Sequence, residues 1–314
     1  MRAPARLSLY GPGMRFAFAL VLLLLAACAD AKPPACGFVG SSVLPIGHAG
    51  PFASVASTID GTPASLVVDT GAGQTVLSLA AAQRAHVALD PHWTVRATGI
   101  GGTATYATGH VARLMLGDIP VTPALVTIMP KVPLADGNIG MDILGDVDLD
   151  IDFPAGHITL YRGLLCPDTK LPWNVPAAEV HTQAIMPHGL PDTARPRELL
   201  LAMEINGKPA LAMIDTGAGF SLVSRSFAAR LGVTDAALEA GPTMHLAGLS
   251  PDAAYGRLWR FEEERIGTER IVGPAMVVAD LHGADFDVLL GMDYLALHRV
   301  WLSYGARRIF VAHQ

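Results

Sequence analysis

Apolar positions along this chain fall in short β-branched and aliphatic runs, broken by Gly, Pro, Asp and Asn. Val67-Val68 run into Asp69-Thr70-Gly71-Ala72-Gly73, and Thr75-Val76-Leu77 follows. That pattern predicts a buried strand, a tight loop presenting one carboxylate, and a strand leaving. Met213-Ile214 run into Asp215-Thr216-Gly217-Ala218-Gly219 in the same way, 146 residues later. Upstream, Ile59-Asp60-Gly61-Thr62-Pro63-Ala64 matches Ile205-Asn206-Gly207-Lys208-Pro209-Ala210, each predicting a strand, a two-residue turn and a return strand. Over residues 59–78, ten of twenty are identical at this one offset, so the two halves read as a duplication.

The repeat continues. Short helical patterns at 80–86 and 226–232 follow the two loops. Gly99-Ile100-Gly101-Gly102 then corresponds to His245-Leu246-Ala247-Gly248. Glycines between β-prone residues predict a hairpin tip that can approach a ligand and move, and the first copy is the more flap-like. Residues 138–144 match 289–295, now at offset 151, so the second copy carries five more residues. Strand–turn–strand patterns at 147–160 and 298–311 close the halves, and 166–197, with six prolines, reads as a surface linker. Asp146, Asp148, Asp150 and Asp152 alternate with apolar residues, which predicts a half-buried strand with a solvated acidic face; no Asp-x-Asp-x-Asp-Gly calcium loop is present. Asp142 and Asp293 are expected at helix N-termini. Glu262-Glu263-Glu264 reads as a solvated face.

Composition sharpens this picture. A chain of 314 residues with 51% hydrophobic and 16% charged residues can bury two cores. The net charge of −6 and the lack of a Lys/Arg cluster exclude a nucleic-acid partner. Arg2, Arg6 and Arg15 precede an apolar run from 16 to 27, too short to span a bilayer but suited to a signal peptide over 1–27. Leu25-Ala26-Ala27-Cys28 resembles a lipobox, which makes Cys28 a lipidation site and the new N-terminus; ordinary cleavage after 29–31 is the alternative. Losing three arginines and no acids takes the charge from −6 to −9. Residues 28–50 then read as a tether, and the folded unit is expected to begin near Pro51. Cys36 and Cys166 either form a disulfide in an oxidising periplasm or stay free thiols. No Cys/His spacing suggests zinc, so neither metal nor cofactor is expected.

Two carboxylates held close together share one proton over a range of pH, which gives one site both a general acid and a general base. Gly71 and Gly217 permit the tight loops, and Thr70 and Thr216 offer hydroxyls to bond across the pair. The order of Asp-Thr-Gly-Ala, Thr-Val-Leu, Gly-Ile-Gly-Gly and Asn-Ile-Gly resembles the retropepsin-like family of aspartic proteases, over roughly 52–162 and 198–312. The resemblance implies an all-β, bilobal fold with lobes 51–165 and 198–314, a cleft with catalytic Asp69 and Asp215, and substrate-binding flaps at Gly99, Ile100, Gly101 and Gly102 and at Leu246, Ala247 and Gly248. It implies a monomeric endopeptidase that cuts extended polypeptides; the signal peptide and the lipobox are what place it at the cell envelope, held by lipid on Cys28. A non-catalytic peptide-binding module on the same scaffold is the alternative. Two departures stand out. Asn138 occupies a position where the family has an apolar residue, which predicts weaker packing behind the first loop. Ala72 and Ala218 replace a serine whose hydroxyl would lower a carboxylate pKa, which predicts an optimum less acidic than that of pepsin-like enzymes.

Overall fold

Each half of the chain folds as one ten-stranded sheet, and the two sheets have the same strand order. In both, the strand ahead of the Asp loop pairs in parallel with a short strand, Gly137–Ile139 or Val288–Leu290. That short strand also runs antiparallel to the strand leaving the loop. The Asp loop is thereby held at the centre of its sheet, where Leu66, Val68, Leu77 and Ile139 in the first lobe and Ala212, Ile214, Val223 and Leu290 in the second are buried. The turns expected from Asp60-Gly61 and Asn206-Gly207 are present, with positive φ at all four residues. The helices following the loops begin at matching caps: Ser78 Oγ accepts from Ala81 N at 3.1 Å and Ser224 Oγ from Phe227 N at 3.2 Å. This computed structural model describes residues 36–121, 125–185, 198–246, 248, 254–281 and 283–313. Residues 1–27, Cys28, Ala247 and the end of the linker lie outside them.

A third sheet joins the lobes. Its six strands lie in the order Gly37–Pro45, His157–Leu164, Asp148–Asp152, His298–Ser303, Arg308–His313 and Ala178–Val180. At its centre Asp148–Asp152 runs antiparallel to His298–Ser303, with Asp150 opposite Trp301. These two residues are 151 apart, the offset of the repeat at this point. A pseudo-two-fold axis therefore passes between them.

Three expectations need correcting here. The tether is shorter than 28–50, because Gly37–Pro45 and Gly47–Ala49 are strands and the first is an edge of the joining sheet. Gly37–Pro45 is an edge strand that buries only Leu44, so it carries no apolar pattern that would mark it as a strand. The linker is not wholly a surface crossing: Ala178–Val180 and Thr182–Ile185 are strands, and Leu171 and Trp173 pack against the buried cluster of Leu165, Trp301 and Phe310. Of the acidic row only Asp146 is solvated, since Asp148, Asp150 and Asp152 are all buried. Buried charge requires partners, and the neighbouring strand supplies them. Arg299 donates to both Asp150 oxygens at 2.8 and 2.7 Å and reaches Asp152 at 3.3 Å, while Trp301 Nε1 donates to Asp148 at 3.1 Å. Trp173 covers the Arg299 guanidinium at 4.9 Å. Cys36 and Cys166 are both disulfide-bonded, so the free-thiol alternative falls.

Candidate active site

The two Asp-Thr-Gly loops meet at the centre of the molecule and are locked by reciprocal bonds. Thr70 N donates to Thr216 Oγ1 and Thr216 N to Thr70 Oγ1, both at 3.1 Å. Each hydroxyl in turn donates to a carbonyl at the foot of the opposite loop, Thr70 to Ile214 at 2.7 Å and Thr216 to Val68 at 2.5 Å. Both threonines are buried, so these groups have no water to turn to if the lock is broken.

The lock brings the carboxyls of Asp69 and Asp215 into hydrogen-bond contact with each other. Each carboxyl also lies against the other loop's glycine: a methyl group on Gly71 would overlap the Asp215 carboxyl, and one on Gly217 would overlap that of Asp69. Glycine is required here for close approach, not for turn geometry. Within each loop the glycine amide donates to its own aspartate, Gly71 to Asp69 at 3.1 Å and Gly217 to Asp215 at 2.8 Å.

Asp142 and Asp293 sit in the first turns of Met141–Leu144 and Met292–Leu295, as expected. They also brace the loops. Asp142 accepts from Thr75 N and Oγ1, both at 2.8 Å, and Asp293 from Ser221 N and Oγ at 2.8 and 2.7 Å.

The symmetry ends at Asn138. Its Nδ2 donates to Asp69 Oδ2 at 2.6 Å, whereas the equivalent Leu289 has nothing to donate and is buried. Asn138 is therefore not a weak point in the packing but a ligand of one carboxylate. It supplies a side-chain donor that Ala72 cannot. The sequence signalled it only as a polar residue in an apolar position, which in a site of paired carboxylates is itself the clue.

Electrostatics follow from these contacts. Burial raises both carboxyl pKa values. For Asp69 the Asn138 amide, and the Gly71 and Ala72 amides after it, favour the charged form and offset that rise. Asp215 is pushed well above the ordinary carboxyl range, by burial first and then by the charge on Asp69. The shared proton belongs on Asp215, with Asp69 ionised.

Both expected flaps are hairpins. Ala88–Gly99 pairs with Gly102–His110, closing with Gly99 opposite Gly102, and Gly101 and Gly102 have positive φ. Thr243–Leu246 pairs with Ala254–Arg260. The tips touch: a methyl group on Gly248 would overlap the Ile100 backbone. Ile100 also packs against the second lobe's buried cluster of Leu246, Met213 and Leu289, which Ala218 of the second Asp loop joins. The single glycine of the second tip is placed where the first tip lands.

Duplicated lobes, a sheet shared between them and two interlocked Asp-Thr-Gly loops define the class as the aspartic protease fold. A family model described as aspartyl protease matches residues 55–143 and 201–294, more than half of the chain, and the chain belongs to that family. Among solved structures that match, the aspartic proteinase from Irpex lacteus aligns over 88% of this chain and 98% of its own, with a TM-score of 0.50 and 12% identity, a likeness of fold. A search of curated protein sequences finds no match.

Proposed function

We propose that this chain is an aspartic endopeptidase in which Asp69 and Asp215 activate one water against the peptide bonds of extended polypeptides. The observation that carries the reading is the reciprocal threonine lock, which holds two carboxyls of unlike proton affinity in contact. Ionised Asp69 takes a proton from the water as its oxygen bonds to the carbonyl carbon, and Asp215 gives its proton to the carbonyl oxygen. Collapse of the tetrahedral adduct breaks the C–N bond: the leaving nitrogen takes the proton now on Asp69, and one hydroxyl of the diol returns its proton to Asp215 as the new carboxyl forms, which restores the starting pair. The strand edges of the two flap hairpins supply main-chain donors and acceptors for an extended substrate. Lipid on Cys28 would confine the enzyme to the periplasmic cell envelope, a reading that the disulfide state of Cys36 and Cys166 supports. Mass spectrometry of a peptide library digested by wild type and by Asp69→Asn tests the chemistry. Cleavage by wild type alone is expected. Equal cleavage by both refutes the catalytic role, and cleavage by neither points to a peptide-binding module. Retention of a Cys28→Ser variant in the membrane fraction would refute the anchor.

A further inference from the structure

The repeat provides an internal control for a cluster on the second lobe, away from the paired aspartates in sequence. Strand register aligns Glu264 with Leu114, since they pair with Ile205 and Ile59. It aligns Glu269 with Ile119, the partners of Ile266 and Leu116. At offset 151, Tyr294 and His298 align with Ile143 and Val147. All four first-lobe residues are buried in the apolar core. The second lobe has thus exchanged four core aliphatics for two carboxylates, a phenol and an imidazole. Glu264, Tyr294 and His298 remain buried, at 2%, 6% and 1% exposure. Glu264 corrects the expectation of a solvated acidic face.

Substitution on this scale destabilises a core unless the polar groups converge on something. Tyr294 and His298 converge on Glu269, while Glu264 Oε1 is buried with no hydrogen-bond partner among the described residues. His298 Nδ1 lies 2.7 Å from the Tyr294 carbonyl oxygen, an acceptor, so that nitrogen carries a proton. In the neutral ring, Nε2 is then a lone pair, and it faces the Glu269 oxygens at 2.9 and 3.1 Å. His313, directly opposite His298 across the last strand pair, brings Nδ1 to 3.6 Å from Glu269 Oε1. One proton can reconcile one imidazole with the carboxylate. A cation among the three reconciles both.

We propose that Glu269, His298 and His313 form a binding site for a divalent transition-metal cation of the zinc class. Their ligand atoms lie within 4.8 Å of one another. Two imidazole nitrogens and one carboxylate are a zinc-type donor set with a position left for water. The outer contacts fit: the Tyr294 carbonyl fixes the His298 tautomer, its ring stacks on His298 at 3.9 Å, and its hydroxyl donates to Glu269 Oε2 at 3.0 Å. The cation would tie the end of the last strand to the Glu263–Ile266 and Glu269–Val272 hairpin. The test uses untagged mature protein stripped with chelator and titrated with Co²⁺, read by its visible absorption. Wild type is expected to bind one equivalent in a low-coordinate site, and Asp69→Asn to bind identically. His313→Gln, at an exposed position where folding is checked by circular dichroism, is expected to weaken binding roughly tenfold or more. No binding by wild type overturns the site. Equal affinity in His313→Gln also overturns it and leaves an imidazolium–carboxylate pair.

Discussion

The two Asp loops differ less in how they are built than in what stands behind them. Each has the same glycine amide on its carboxylate, the same threonine lock and the same aspartate brace from the following helix. Behind Asp69 stands an amide donor, and behind Asp215 a leucine. A symmetric pair of carboxyls has no reason to place its proton on either side. A single neutral donor breaks that tie without adding charge. Geometry is therefore conserved by the duplication while chemistry is divided by one side chain.

That division can be tested, beginning with the largest effect. Asp69→Asn and Asp215→Asn should each lower kcat/KM by about 10³-fold or more on any peptide the wild type cuts, because each removes one half of the acid–base pair. Near-wild-type turnover in either would end the comparison. The lock should be even-handed. Thr70→Val and Thr216→Val each lose a donor and strand a buried backbone amide, so each should cost about 2–4 kcal/mol by urea unfolding. Unequal losses would show that the lobes do not share the lock.

Asn138→Leu addresses the tie-break. A donor to a carboxylate stabilises the charged form, so its removal raises the Asp69 pKa. The acid limb of the kcat/KM profile should move to higher pH by roughly 1–2 units, given about 1.5–3 kcal/mol for a bond to a charged acceptor. In Leu289→Asn the sign reverses at the other carboxyl: the Asp215 pKa falls and the basic limb moves to lower pH. Limbs that do not move in either variant would rule out a role for this position. The smallest effect concerns what the duplication left alone. Ser78→Ala and Ser224→Ala should each cost about 1 kcal/mol, because each removes the same cap bond, although the Ser224 hydroxyl also meets Ser226 Oγ at 3.2 Å.

Much of this was legible in the residues. Offset identity around Asp69 and Asp215 revealed the duplication, the paired turns and the two loops, because backbone-critical residues tolerate little change. Burial was harder to read. Asp148, Asp150 and Asp152 alternate like a solvated face, and only the partner strand, with Arg299 and Trp301 about 150 residues away, turns that face inward. Asn138 read as a packing fault because its bond to Asp69 spans 69 residues. Glu264 looks like part of a charge run until strand register gives it the place that core Leu114 holds in the first lobe.

The axis between Asp150 and Trp301 carries a consequence of its own. In a dimer of identical halves, a residue on the two-fold must face a copy of itself, and any substitution there occurs twice. Aspartate would meet aspartate in the centre of a buried sheet, or tryptophan would meet tryptophan. Joining both halves in one polypeptide lifts that restriction. Here the central pair is unlike, the carboxylates have unlike backing, and the flap tips have unlike shapes. Covalent linkage thus leaves this molecule free to be asymmetric where a dimer of identical chains could not be.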